Sequence, residues 1–116
     1  MVGAALVALA TSASSHEGGS VTPETIVSWD GTIEMWIGNK YDQDASYRIE
    51  VLTKEGEVVP EDQWRSSLPG DEVTLLPTET INFYVQTKEK GKYYVCTTLV
   101  AEDGVASRIC SRHWHR

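Results

Sequence analysis

Tyr93-Tyr-Val-Cys-Thr-Thr-Leu-Val-Ala101 and Val105-Ala-Ser-Arg-Ile-Cys-Ser-Arg-His-Trp114 are two alternating runs joined by Glu102-Asp-Gly104. Asp-Gly between alternating segments is a strong hairpin signal, because a tight turn needs residues that tolerate positive φ. With 102–104 as the loop, opposed residues have numbers summing to 206, which sets Cys96 against Cys110. A non-hydrogen-bonded antiparallel pair brings Cβ atoms to about the 4 Å that a disulfide requires. The same register groups Val95, Thr97 and Leu99 with Val105 and Ile109, and groups Tyr94, Thr98, Arg108 and Arg112 with the cysteines. Apolar residues collect on one face and cations on the other, as expected of a ribbon with one buried and one wet side. Two thiols can also stay free or hold a metal, but a separation of fourteen residues inside one hairpin suits a bridge better than zinc. A bridge implies an oxidising compartment. It contributes about 3 kcal/mol in the chain-entropy model. Without a Cys-x-x-Cys motif its work is structural.

Outward from this ribbon the period stays at two, and no window holds a helical apolar stripe for three turns. Residues 25–29 form a β-branched run after Thr22-Pro23. In 32–37, Ile33, Met35 and Ile37 take one face and Glu34 and Trp36 the other, ending at Gly38-Asn39. Tyr47, Ile49 and Val51 alternate with Arg48 and Glu50 until the turn Lys54-Glu-Gly-Glu57. Residues 61–67 are weakly patterned around Trp64, and Pro69-Gly-Asp71 signals a turn. Val73 and Leu75 precede the bend Leu76-Pro-Thr-Glu79, after which Ile81, Phe83 and Val85 face inward. Short strands separated by turns every eight to twelve residues predict an all-β fold, an immunoglobulin-like β-sandwich of about seven strands. The chain has 116 residues, 41% hydrophobic, without an apolar run of twenty, which reads as one globular domain without a membrane span. Ten basic against seventeen acidic residues leave a net charge of −7, the wrong sign for general nucleic-acid binding.

Met1-Val-Gly-Ala-Ala-Leu-Val-Ala-Leu-Ala10 followed by Thr11-Ser-Ala-Ser-Ser15 reads as the apolar core and cleavage region of a secretory signal, although no Lys or Arg precedes it. About ten apolar residues fall short of the roughly 20 needed for a spanning helix. The expected organisation is therefore a signal at 1–15, a linker at 16–22 and the sandwich at 23–116, with a periplasmic or secreted location.

Four stretches carry a family resemblance. Pro23-Glu-Thr-Ile-Val27 stands as a leading strand, and Ile33-Glu-Met-Trp-Ile-Gly-Asn39 as an alternating strand ending in Asn. Tyr47-Arg-Ile-Glu-Val51 follows, and Val73-Thr-Leu-Leu-Pro-Thr-Glu-Thr-Ile-Asn-Phe-Tyr-Val85 runs through a Leu-x-Pro-x-Glu bend into the next strand. In this order they resemble the amino-terminal immunoglobulin-like domain of periplasmic pilus chaperones and the domains similar to major sperm protein. The resemblance implies a protein partner, a pilus or secretion-system subunit, bound by strand addition at a sheet edge. It also implies that the last two strands are joined by a disulfide, as in some of those chaperones. Two departures stand beside it. The family has a second domain after this one, and its final strand presents several large alternating apolar side chains where this chain has Val105, Ser107, Ile109 and Ser111. The family's basic pair for a subunit's terminal carboxylate has no recognisable motif here, although Arg108 and Arg112 have suitable chemistry.

Three further groups are candidate sites. His113 and His115 lie two apart, on one face of a continuing strand, a geometry open to copper or zinc. No third ligand is indicated, His16 falls in the expected linker and chain ends fray, so no metal and no cofactor is expected. Arg108, Arg112 and Arg116 make the last nine residues +3, while the preceding 107 hold seven basic and seventeen acidic residues. Such a cationic edge suits an acidic partner or simply guards an edge strand. Trp36, Tyr84 and Tyr94 are out of phase with their apolar faces and form a partner patch if they cluster. No catalytic motif is present, so the chain reads as a non-enzyme. The expected function is an exported, chaperone-like or accessory protein-binding domain. The alternatives are a structural subunit of an envelope complex docking by side-chain surfaces, and a small secreted metal- or ligand-binding protein.

Overall fold

A computed structural model of the chain describes residues 16–22, 28–100 and 107–116. Among the described residues eight strands follow in order: β1 (His16–Ser20), β2 (Thr32–Asn39), β3 (Ala45–Thr53), β4 (Trp64–Ser66), β5 (Glu72–Leu75), β6 (Thr80–Thr87), β7 (Gly91–Leu99) and β8 (Arg108–His115). They form two four-stranded antiparallel sheets, one ordered β1-β2-β6-β4 and the other β5-β3-β7-β8. The architecture is the immunoglobulin-like sandwich that the period of two predicts. Among the described residues, no helix is long and apolar enough to cross a membrane.

The hydrophobic effect closes the two layers, because each sheet has one apolar face to bury. From the first sheet come Ile33, Met35 and Ile37 of β2 with Phe83 and Val85 of β6, and from the second Tyr47, Ile49 and Val51 of β3 with Val95 and Leu99 of β7. Trp64 is buried and belongs to this core, which makes a strand of the weakly patterned stretch around it. The turn after β3 closes as expected: Thr53 N donates to Glu57 O and Gly56, at φ 87°, donates to Thr53 O.

One polar residue ties the layers at the end where β2 stops. Asn39 is almost fully buried. Its Nδ2 donates to the carbonyls of Gln43 (2.9 Å), Leu76 (3.1 Å) and Leu75 (3.3 Å). Its Oδ1 accepts from the Tyr41 N–H (2.9 Å) and the Tyr47 hydroxyl (3.1 Å). A single amide thus satisfies the loop after β2, the bend after β5 and the buried phenol of β3, which burial pushes up to about 12.

Two boundaries differ from the sequence expectation. Residues 16–20, expected within a linker at 16–22, form edge strand β1 against β2, with His16 opposite Asn39 and Ser20 opposite Met35. Gly18 and Gly19 lack the side chains from which alternation is read, yet their backbone groups serve a ladder as well as any others. A Cβ on Gly18 would stand 3.0 Å from the Trp36 carbonyl, so a larger residue there would have to push the edge back by a few tenths of an ångström. In the last ribbon every pair from Gly91–His115 to Thr98–Arg108 sums to 206, and Cys96 and Cys110 are joined by a disulfide at a Cα separation of 4.0 Å. The ribbon's strands begin and end one to three residues from the expected limits. The leader at 1–15, the strand at 23–27 and the loop at 102–104, with Val105, lie outside the described residues.

Replacing Asn39 with Ala should cost about 2–4 kcal/mol in urea unfolding, since it strands several buried polar groups at once. Tyr47→Phe, which removes one of those bonds, should cost about 1 kcal/mol. Equal losses in the two variants would show that Asn39 does not organise this end.

Candidate functional site

The apolar core stops short of one side of the sandwich. There, edge strand β1 of the first sheet comes beside edge strand β8 of the second. The inward positions of β8 are Ile109, Ser111, His113 and His115, and only the first is apolar. The parity that points the cysteines outward necessarily points both histidines inward. They are 6% and 7% exposed, so the fraying end expected of His113 and His115 is instead part of the interior. The signal was present in the hairpin register, which pairs His113 with Tyr93 and His115 with Gly91.

Each imidazole is held by named partners. His113 Nε2 lies 3.0 Å from the Gly31 carbonyl; a carbonyl only accepts, so the ring carries its proton on Nε2. His115 Nδ1 is 3.3 Å from the Thr87 hydroxyl. Gly31 adopts φ 82°, and a Cβ there would strike the Thr87 carbonyl and the His115 ring, so this turn admits only glycine. At the other end of the seam His16, 3% exposed, places Nε2 at 2.8 Å from Thr97 Oγ1 and Nδ1 at 3.3 Å from Ser107 Oγ. Its ring packs against Tyr47 at a centroid distance of 4.9 Å. His16 thus belongs to a strand and not to a linker, and Thr87, Thr97 and Gly31 are seam residues that no local motif announced. Burial lowers the pKa of His16 and of His113 below the ordinary imidazole value of 6.5; hydrogen bonding at Ser107 and Gly31, respectively, opposes this in part. Among the described residues no group of three His, Cys, Asp or Glu is placed to hold a metal ion.

The other sequence candidates divide between faces. Ile109 is half-buried and turned inward, whereas Arg108 and Arg112 lie on the outer face of the β7–β8 ribbon. Arg108 is engaged there: it bonds Glu50 at 2.9 Å and Thr98 Oγ1 at 3.2 Å across β8, β7 and β3. Trp36 and Tyr84 share the outer face of the first sheet on neighbouring strands, since Glu34 pairs with Tyr84 and Trp36 with Asn82. Tyr94 lies on the other sheet, opposite Arg112. The three aromatics therefore do not form one patch; alternation within a strand sets the face but not the sheet.

Backbone geometry identifies an edge. The Leu99 N–H donates to the Ser107 carbonyl, so hydrogen-bonded pairs of the ribbon fall at odd positions of β8. The N–H and C=O groups of Arg108, Cys110, Arg112 and Trp114 point away from β7. Ser28 joins this edge at one end, donating to the Trp114 carbonyl at 2.9 Å and accepting from the Arg116 N–H at 2.7 Å. Along Arg108–Cys110 β8 has β7 on one side and, among the described residues, no strand on the other.

No family model and no curated protein sequence matches the chain. Solved structures do match its fold. The Escherichia coli chaperone DraB superposes with a TM-score of 0.64 at 13% identity, over 88% of this chain and 54% of that one. A chain of the Salmonella enterica SafA pilin–SafB chaperone complex superposes with a TM-score of 0.66 at 11% identity, over 88% and 54%. WR4, a C. elegans MSP family member, gives 0.59 at 8% identity over 88% and 98%. The chain thus has the fold of pilus-chaperone and MSP-like domains, as the sequence resemblance implied. It spans about half the length of the chaperone chains that it matches.

The buried imidazoles make stability depend on pH. With folded-state pKa values below 6.5, the unfolded chain binds more protons between those values and 6.5. Stability should be full above pH 6.5 and should fall as pH drops through the lowered values. Urea midpoints measured from pH 7.5 to 5 should show this decline, and His113→Gln should flatten it. An unchanged slope in that variant would remove His113 from the effect.

Proposed function

We propose that this chain is an exported, chaperone-like protein-binding domain that captures an extended segment of an assembly subunit by strand addition along β8. The observation that carries the reading is the Arg108–Cys110 edge on a fold similar to pilus-chaperone domains. An edge strand offers unpaired N–H and C=O groups in register, so an incoming chain gains main-chain hydrogen bonds, while pockets between alternating side chains select its sequence. On the inner side Ile109 is the single large apolar residue of β8 available to a partner's core. Ser111 beside it makes the contribution modest, and affinity then rests more on backbone pairing than on donated apolar surface. On this reading residues 1–15 direct export, and the Cys96–Cys110 bridge forms in an oxidising compartment and holds the donor edge in place.

The position of Arg108 permits a selective test. Its N–H points away from β7, so Arg108→Pro removes one donor from this edge without breaking the β7–β8 ladder. Lost with it is the exposed Arg108–Glu50 pair, worth less than about 1 kcal/mol. Wild-type protein mixed with a pilin-type subunit that aggregates alone should give a soluble one-to-one complex by size-exclusion chromatography. Arg108→Pro should reduce capture at least about tenfold while the melting temperature moves by only a few degrees. Undiminished capture by that variant would instead favour docking through side-chain surfaces, as in a structural subunit of an envelope complex.

A further inference from the structure

Strand addition along β8 belongs to the second sheet and leaves the outer face of the first sheet unused. On that face Trp36 pairs with Gly19 of β1 on one side and with Asn82 of β6 on the other, and Gly38 follows it along β2. Glycine at both neighbouring places leaves room for the indole to lie down. A Cβ on Gly19 would stand 3.5 Å from Trp36 Nε1, and one on Gly38 would stand 3.5 Å from Trp36 Cζ3, atoms at opposite corners of the ring system. Gly38 is accordingly buried although it points outward, and Trp36 itself is half-buried. An indole laid along a sheet turns one face to the backbone and leaves the other for a ligand.

Tyr84 extends this platform. It is half exposed, pairs with Glu34 across β2 and β6, and is the diagonal neighbour of Trp36, about 7–8 Å away in ordinary sheet geometry. Beside it opens a groove of about 330 Å³ lined by Thr32, Arg65, Ser66, Ser67, Tyr84 and Gln86. The polar side chains around the two rings are flat or hydroxylic, and their hydrogen bonds already orient them. Asn82 Nδ2 donates to Glu34 Oε2 at 3.2 Å, and Arg65 Nε donates to Gln86 Oε1 at 2.8 Å. Charge cancels across the face: Glu17 meets Lys40 at 3.2 Å, and Glu34 and Arg65 add one of each sign.

We infer that this face binds a neutral oligosaccharide of equatorially linked pyranoses, laid across Trp36 and Tyr84. Equatorial linkage puts the C–H bonds of each sugar on its two broad faces and the hydroxyls around its rim. The C–H faces carry partial positive charge and suit the negative face of an aromatic ring. The rim hydroxyls both donate and accept, and so match the amides, carboxylate, guanidinium and hydroxyls that surround the two rings. A face without net charge does not attract a polyanion, and a chain of net charge −7 repels one. A protein partner would need a wider apolar centre than two rings framed by charged and amide groups.

The test is a titration of the ¹⁵N-labelled chain, read from amide and indole N–H shifts. Cellohexaose or chitohexaose should bind saturably with a Kd at or below about 1 mM. Binding should shift the Trp36 indole and the amides of residues 34–36, 65–67 and 82–86, while the Trp114 indole on the other sheet stays still. Maltohexaose, whose axial linkages curl the chain away from a flat face, should bind at least about fivefold more weakly. Tyr84→Ala should weaken binding by about fivefold or more, whereas Trp114→Ala, which removes an exposed indole from the other sheet, should leave it unchanged. The inference falls if neither sugar saturates, if maltohexaose binds within about twofold of the better one, or if Trp114→Ala weakens binding as much as Tyr84→Ala. Shifts of the same residues on concentrating the sugar-free protein would assign the face to a second copy of this chain and overturn it as well. Because Tyr84 is exposed, its variant reports on binding even if Trp36→Ala, which uncovers Gly38, fails to fold.

Discussion

The register of the β7–β8 ribbon is the constraint from which most of the molecule follows. A shift of one residue would turn every side chain of β8 to the opposite face. The Cys96–Cys110 bond forbids that slip, because only directly opposed residues on one face come within reach of each other. With the cysteines outward, Ile109, Ser111, His113 and His115 are inward, and Arg108, Arg112, Trp114 and Arg116 join the cysteines outside. Both the polar seam and the arginine-bearing outer face of the ribbon are consequences of this one parity.

The seam gives the sandwich two unlike sides. Around β2, β3, β6 and β7 the interior is close-packed and apolar. Between β1 and β8 it is built from imidazoles, hydroxyls and one glycine carbonyl, all of them bonded. Buried polar groups of this kind add little net stability when paired, and cost much when a partner is lost. The side of the molecule that bears β8 is thereby the side whose closure depends on hydrogen-bond matching and on proton concentration. Next to the His16 end of the seam, Asn39 performs the corresponding work as one neutral amide that does not titrate near neutral pH.

Much of this was legible in order. Alternation at Ile33-Met35-Ile37, Tyr47-Ile49-Val51 and Ile81-Phe83-Val85 marked three core strands, because burial on one face leaves a period of two in the chain. The Asp-Gly turn gave the ribbon's register and with it the disulfide. Strand β1 was hidden because Gly18 and Gly19 carry no side-chain pattern, although their backbones pair fully. The inward histidines are hard to read for a different reason: proximity to a chain end suggests fraying, while the register already directs them inward.

The chain alone determined which residues face together, since a strand's alternation and a hairpin's turn are local properties of the backbone. Only the tertiary structure decided which faces meet. Trp36 and Tyr84 came to lie on one sheet and Tyr94 on the other, and Gly31 and Thr87 met His113 and His115. Those meetings depend on how two twisted sheets are stacked and connected, and that is set by closing the apolar core over the whole chain, a condition no single segment carries.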